Sequence, residues 1–301
     1  MSNLKTETTT TRSNGIYPSS VVCFEDALES NSFSIYELLQ LSSLREKEDL
    51  EDHKEYHSQI VKLMKSNLKP VEDASQLTFA WTVDDEEYHS TSLLFELYFT
   101  TLSLAHKLFD SKENYKSAVH LFKQCRDILP LWKTADLVYP NCPYVCTKEY
   151  LKNMLYLTNG SMLLKMESKG KQEAVRLSSA MKCTGNVAYH IPTFSDIALN
   201  HYLVARALLF HHLALKDLDN IEQGEKANQS YTCANEALEL CRLVDRSKCH
   251  MDTALNNRLN TLLNDTTDHI YSLQQVYYAV PAPLESITLP ASISNDNIEA
   301  R

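Results

Sequence analysis

Between Ser90 and Phe109 the chain carries Leu93, Leu94, Phe95, Leu97, Tyr98, Phe99, Leu102, Leu104, Ala105, Leu108 and Phe109, so apolar groups point in nearly every direction around a 3.6-residue period. A helix with no polar face has to be surrounded by other elements. Burying its large side chains contributes about 1.5–3 kcal/mol each before the entropy of ordering them is subtracted. The spacing predicts a central helix with further helices packed around it.

The neighbouring segments supply those helices. Ala118, Leu121, Phe122, Cys125, Ile128, Leu129 and Trp132 recur at one-sided helical spacing. Earlier, Ile35, Leu38 and Leu39 share a face, and Tyr56, Ile60, Leu63 and Met64 repeat the pattern before Pro70 interrupts it. The mixed-charge run Arg45–Glu55 between them reads as a solvated helix face. LTFAW (Leu77–Trp81) reads as an apolar stretch in a polar loop, and Asp84–Glu87 as solvated surface. Later helices are predicted over Lys148–Glu167, Gln172–Tyr189, Phe194–Leu218, Glu225–Val244 and Met251–Tyr277. The last two carry the stripes Ala227, Tyr231, Ala234, Leu238, Cys241 and Leu255, Leu259, Leu262, Ile270, Leu273. Short links between them favour antiparallel neighbours. Phe194–Val244 reads as a tetratricopeptide-type hairpin with Ala205, Ala234 and Ala237 at the crossing points. The expectation is an all-α fold, a curved tetratricopeptide-like helical solenoid of about eight helices.

Composition narrows the function. Only five glycines occur in 301 residues, too few for folds built on tight hairpins or phosphate-cradling loops. At 44% hydrophobic, the chain can bury a large core. A net charge of −10 argues against nonspecific nucleic-acid binding and against anchoring by a basic surface. No apolar run approaches the roughly 20 residues of a membrane span. Met1–Arg12 is polar and Thr-rich, unlike a secretory signal. These features predict a cytoplasmic protein with a disordered N-terminus over 1–20, a helical domain over 21–290 and a polar tail over 291–301.

The chemistry-bearing residues do not gather into a reactive pattern. Nucleotide-binding loops, zinc-protease helices and nucleophile elbows have no match. Cys142 and Cys146 are the best-spaced thiol pair, but no second pair completes four metal ligands, so the cysteines read as small hydrophobes. Adjacent His211 and His212 point about 100° apart on a helix and cannot share an ion. The expectation is a non-enzyme with no cofactor and no metal.

Four segments, in order, resemble the Bro domain family, the helical module of Alix, Rim-type and PalC proteins. LTFAW followed by SLLFELYFTTLSLAHKLFD (Ser92–Asp110) resembles the family's F-x-W … S-x-x-F-E … L-x-x-x-A entry. Ala118–Trp132 falls where the family has its A-x-x-x-F helix, with different small residues. GEKANQSYTCANEALEL (Gly224–Leu240) is similar to its G-E-x-I-A helix. QVYYAVPAPLESITLP (Gln275–Pro290), with Val280-Pro281, is similar to its closing segment. The likeness spans roughly 20–290 and fits the PalC type best, a lone domain without a Pro-rich tail. The end Ile298-Glu299-Ala300-Arg301 has no prenylation cysteine.

The resemblance implies a non-catalytic adaptor of fungal ambient-pH signalling, recruited to the cytosolic face of plasma or endosomal membranes through its partners. Its partner would be the C-terminal helix of the Snf-seven-type ESCRT-III subunit, with other pathway components assembling around it. Such a helix docks by apolar anchors in a groove. Aligned through Leu163–Lys165 and Glu173–Val175, the family's aromatic-plus-two-aliphatic patch falls on Met162, Val175 and Ser179. Ser179 departs from the aliphatic pattern, and a shifted register places Leu177 and Met181 there instead. Two other readings compete: a generic tetratricopeptide-like peptide-binding scaffold in endosomal sorting, and a small helical enzyme using Cys142, Cys146 or His211–His212.

Overall fold

A computed structural model describes residues 15–30, 33–47, 49–66, 68–70, 77–112, 114–135, 143–188, 192–216, 224–247 and 252–292. It divides into two compact units, 1–146 and 147–301. Ten α-helices occur among the described residues, and none is long and apolar enough to cross a membrane. The all-α expectation holds, with a small β component that the sequence reading did not anticipate.

The first unit runs β1 (Ile16–Pro18), α1 (Phe24–Ala27), β2 (Leu28–Ser30), α2 (Ile35–Arg45), α3 (Leu50–Met64), β3 (Leu68–Pro70), β4 (Phe79–Val83), β5 (Glu86–Ser90), α4 (Leu93–Asp110) and α5 (Tyr115–Ala135). The last three residues of LTFAW, Phe79–Trp81, are therefore strand, not loop. β4 lies between β1 and β5, antiparallel to both, and all five of its residues are buried. The turn that closes β4–β5 needs no glycine, because Asp84 and Asp85 take φ of 49° and 68°. Aspartate tolerates that region and suits a two-residue hairpin. β1 places Ile16–Pro18 in a strand, within the segment 1–20 expected to be disordered; residues 1–14 lie outside the described residues.

α4 is the central helix predicted. Phe95, Tyr98, Phe99, Leu102 and Phe109 are all but fully buried, and so is Glu96. Trp81 stacks on Phe99 at 5.7 Å between ring centroids, and Phe95 meets Trp132 of α5 edge-on at 5.5 Å.

The charged run Arg45–Glu55 is not uniformly solvated. Arg45 ends α2 at 2% exposure and pairs with Glu96, Nε to Oε1 at 2.9 Å and Nη2 to Oε2 at 3.2 Å. Tyr56 donates its hydroxyl to Glu96 Oε1 at 2.6 Å, and the Trp81 indole N–H reaches Oε2 at 2.7 Å. Arg45 also donates to the carbonyls of Ser20 and Ala80. This inward arginine sets the rotation of α2. Leu38, Leu41 and Leu44 face the core, whereas Ile35 and Leu39, expected beside Leu38, are 70% and 48% exposed. Burial pulls the Arg45 guanidinium pKa down, but Glu96 beside it outweighs that and raises it. Burial and the same carboxylate push the Tyr56 phenol well up.

The second unit runs α6 (Lys148–Lys165), α7 (Lys171–Val187), α8 (Pro192–Leu215), α9 (Glu225–Leu243) and α10 (Thr253–Tyr277), close to the predicted bounds. Each helix packs on the next in sequence, the pairwise stacking expected of a tetratricopeptide-like array. Small residues permit the close approach. Ala205, Ala234 and Ala237 are fully buried, and a Cβ on Gly160 of α6 would lie 2.6 Å from the Thr184 side chain of α7. Leu255, Leu259, Leu262 and Leu273 of α10 are buried as the stripe predicted.

Two outcomes test the first unit. Glu96→Ala strands the Arg45 guanidinium in the core, and we expect a loss of about 3–5 kcal/mol in denaturant-unfolding stability. Adding Arg45→Met recovers only part of it, because Tyr56, Trp81 and the two carbonyls still lack partners. Separately, burial pushes His53 and His106 down to about 3. Both are neutral in the fold but protonate in the unfolded chain below about pH 6.5. Their contribution is intact above that pH and declines as pH falls towards 3, by about 1.4 kcal/mol per pH unit per histidine. Unfolding midpoints measured from pH 7 to 4 should fall accordingly, and the slope should be shallower in His106→Phe.

Candidate functional site

The expected partner-binding residues lie on the α6–α7 hairpin. Its geometry is set by a buried charge cluster that the sequence did not reveal. Glu173, in the first turn of α7, accepts from Arg176 Nε at 2.9 Å, from Arg258 Nη2 of α10 at 2.9 Å, and from the backbone N–H and hydroxyl of Ser168 at 3.0 and 2.7 Å. The two arginines use their remaining donors on α6. Arg176 reaches the Leu163 carbonyl, and Arg258 the Leu164 carbonyl at 3.1 Å. Those carbonyls belong to the last turn of α6, where no intrahelical donor is available. One carboxylate thus orients two guanidinium groups that cap one helix and tie it to two others. Burial tends to raise the Glu173 pKa, but Arg176, Ser168 and Arg258 outweigh that and lower it.

The clamp lies beside Met162 and Val175, which are half-buried on adjacent helices. Ser179 is fully buried, and its hydroxyl donates to the Val175 carbonyl at 2.7 Å, so it presents nothing outward. In the shifted register one residue is core and the other is buried to the same degree as Met162 and Val175. Leu177 is 1% exposed within the core cluster of this unit, and Met181 is half-buried and packed against that cluster. Lys171, Val175, Ser178 and Lys182 share one face of α7 at helical spacing, with both lysines exposed and Ser178 buried.

The Val280-Pro281 segment turns back from α10 at Tyr278, which takes a left-handed φ of 52°. Val280 N–H donates to Asn228 Oδ1 at 2.9 Å, and Ala282 N–H to Thr232 Oγ1 at 2.7 Å, both on α9. Val280 and Pro281 themselves are exposed. Ile287 packs against the core cluster beside a cavity of about 240 Å³ lined by Leu213, Ala214, Lys216, Lys226, Ser230 and Cys233 among others. The segment then reaches α7, where Ser178 Oγ donates to the Pro290 carbonyl at 2.9 Å. The family-like ending is therefore a strap from α9 to α7. Its contacts lie 50 to 112 residues apart in sequence, so no local pattern could have shown them.

Catalysis would call on Cys142, Cys146 or the His211–His212 pair. Cys146 is fully buried, and Cys142 lies outside the described residues. Burial pushes the Cys183 thiol up to about 12 and Cys233 to about 11, which leaves both protonated and poorly nucleophilic. His211 Nδ1 lies 2.8 Å from Thr266 Oγ1, a bond between α8 and α10.

No protein-family model matches the chain, and no curated protein sequence does. Solved structures do. ALIX in complex with the SIVmac239 PYKEVTEDL late domain superposes with a TM-score of 0.62 at 13% identity, covering 94% of this chain. The fold is that of a Bro1 domain. The ALIX BRO1–CHMP4C complex gives a TM-score of 0.57 at 14% identity over 87% of this chain and 84% of that one. A Bro1 domain studied for endosomal targeting gives 0.51 at 12% identity, over 86% and 83%. This chain spans 47% of the longer ALIX chain, about half its length.

The clamp is testable by itself. Glu173→Ala leaves two arginines facing each other at the end of α6. We expect a loss of about 3 kcal/mol in the stability of the second unit, read by denaturant titration, with Glu173→Gln intermediate because its amide oxygen still accepts one bond.

Proposed function

We propose that this protein is a non-catalytic adaptor that receives the C-terminal amphipathic helix of a Snf-seven-type ESCRT-III subunit on the α6–α7 face. The observation that carries the reading is the pair Met162 and Val175, half-buried beside a charge clamp, on a fold shared with an ALIX BRO1 domain solved in complex with CHMP4C. Helix-in-groove docking needs rigid apolar anchors on regular elements, not a deep pocket. Methionine beside valine suits that task, since its flexible thioether adapts to a neighbour's side chains.

The PalC-like character of the closing segment and the entry motif supports a place in ambient-pH signalling. There the protein would be recruited by its partners to the cytosolic face of endosomal or plasma membranes, and proteolytic activation of the pathway's transcription factor would fall to another protein.

Val175→Asp places a charge at the centre of the face without touching the core. We expect it to abolish capture of the purified ESCRT-III C-terminal helix while the circular-dichroism spectrum and melting curve stay as in the parent. Capture at the parental level would overturn the assignment of this face.

A further inference from the structure

We propose that Leu289, in the C-terminal strap, supplies the third apolar anchor of the docking face, for a helix whose apolar stripe is flanked by acidic residues; this rests on the α7 reading above. Ser179, which sequence alignment put in the third position, is fully buried and spends its hydroxyl on a backbone carbonyl of its own helix.

The strap reaches α7 one turn from Val175. Ser178 holds the Pro290 carbonyl at 2.9 Å and stands one turn from Val175. Residues three apart on a helix have Cβ atoms about 5–6 Å apart. A docked helix is about 10–12 Å wide with its side chains, so one centred on Val175 also meets the strap at Pro290. Leu289 directly precedes that proline, its Cα about 3.8 Å away across a trans peptide. It is 42% exposed, which leaves apolar area for a partner to cover.

The strap is fixed well enough to form a wall. Thr232 bonds Ala282 in both directions, donating to its carbonyl at 3.2 Å and accepting from its N–H at 2.7 Å. Ile287 is seated on the core cluster. Pro281, Pro283 and Pro290 restrict the backbone further.

Charge selects the occupant. Lys171 and Lys182 stand exposed on the same face of α7, one on either side of Val175 and Ser178, in a chain whose net charge is −10. A helix with acidic residues beyond its apolar stripe matches that pattern, whereas a basic one is repelled.

The test uses the full chain and a fluorescently labelled synthetic peptide of a CHMP4-type C-terminal helix, titrated by anisotropy. Leu289→Asp is expected to weaken binding at least about tenfold, the loss typical of a central anchor. Leu284→Asp makes the same change at a strap residue that is 43% exposed near α9, and should stay within about twofold. Both variants should melt like the parent. Parental affinity in Leu289→Asp, with Val175→Asp abolishing binding, would overturn the role of Leu289 alone. Tighter binding in Leu289→Asp would also overturn it, making the strap a competitor. If Val175→Asp binds as the parent does, the docking face itself is misplaced.

Discussion

The first unit is organised around one buried ion pair. Glu96 sits in the middle of a helix that is apolar almost all round, and its carboxylate would be untenable there without Arg45. Taking both charges from water is costly, and their attraction offsets that cost only because the remaining valences are also filled. Tyr56 and Trp81 complete the carboxylate, and two carbonyls complete the guanidinium. Four elements, α2, α3, β4 and α4, thereby meet at one point in one geometry. An apolar substitute would pack comparably well but would not dictate which face of α2 turns inward. The exposed Ile35 and Leu39 show that hydrophobicity alone does not decide it.

A second buried carboxylate does similar work in the other unit for a different end. Glu173 directs Arg176 and Arg258 onto the open carbonyls of α6, so the end of that helix is capped by side chains from α7 and α10. The consequence is functional as well as structural. Met162 and Val175 lie within three residues of that clamp on either side, and their spacing across two helices is only as rigid as the clamp itself. A surface that recognises another helix by a few aliphatic anchors depends on such rigidity, because each anchor left to wander adds an ordering cost at binding. Nearby, burial keeps the Cys183 and Cys233 thiols protonated, and His211 joins two helices.

Some of this was legible in the residues. The all-round apolar pattern of Ser90–Phe109 predicted the central helix, and the stripes of α9 and α10 predicted their buried faces, because helical periodicity is a local property and burial follows it. The F-x-W and F-E motifs are explained once Trp81 is found donating to Glu96. The strand pairing of Phe79–Val83 was not legible, since five buried residues in a row give neither a two-residue nor a 3.6-residue alternation. Nor was the direction of Ser179 and Leu177: both registers of the docking patch are compatible with a helix, and only its neighbours settle which side faces inward.

The sequence by itself determined where helices form, that they have to pack on one another, and that no familiar catalytic constellation is encoded. Those conclusions depend on spacing within single segments. The tertiary structure decided which charges are buried, how α2 and α7 are rotated, and that the closing segment returns to α7 at Ser178. Each of these rests on contacts between residues dozens of positions apart, such as Arg45 with Glu96 or Ser178 with Pro290. Periodicity says that a face exists; only the packed fold says what it touches.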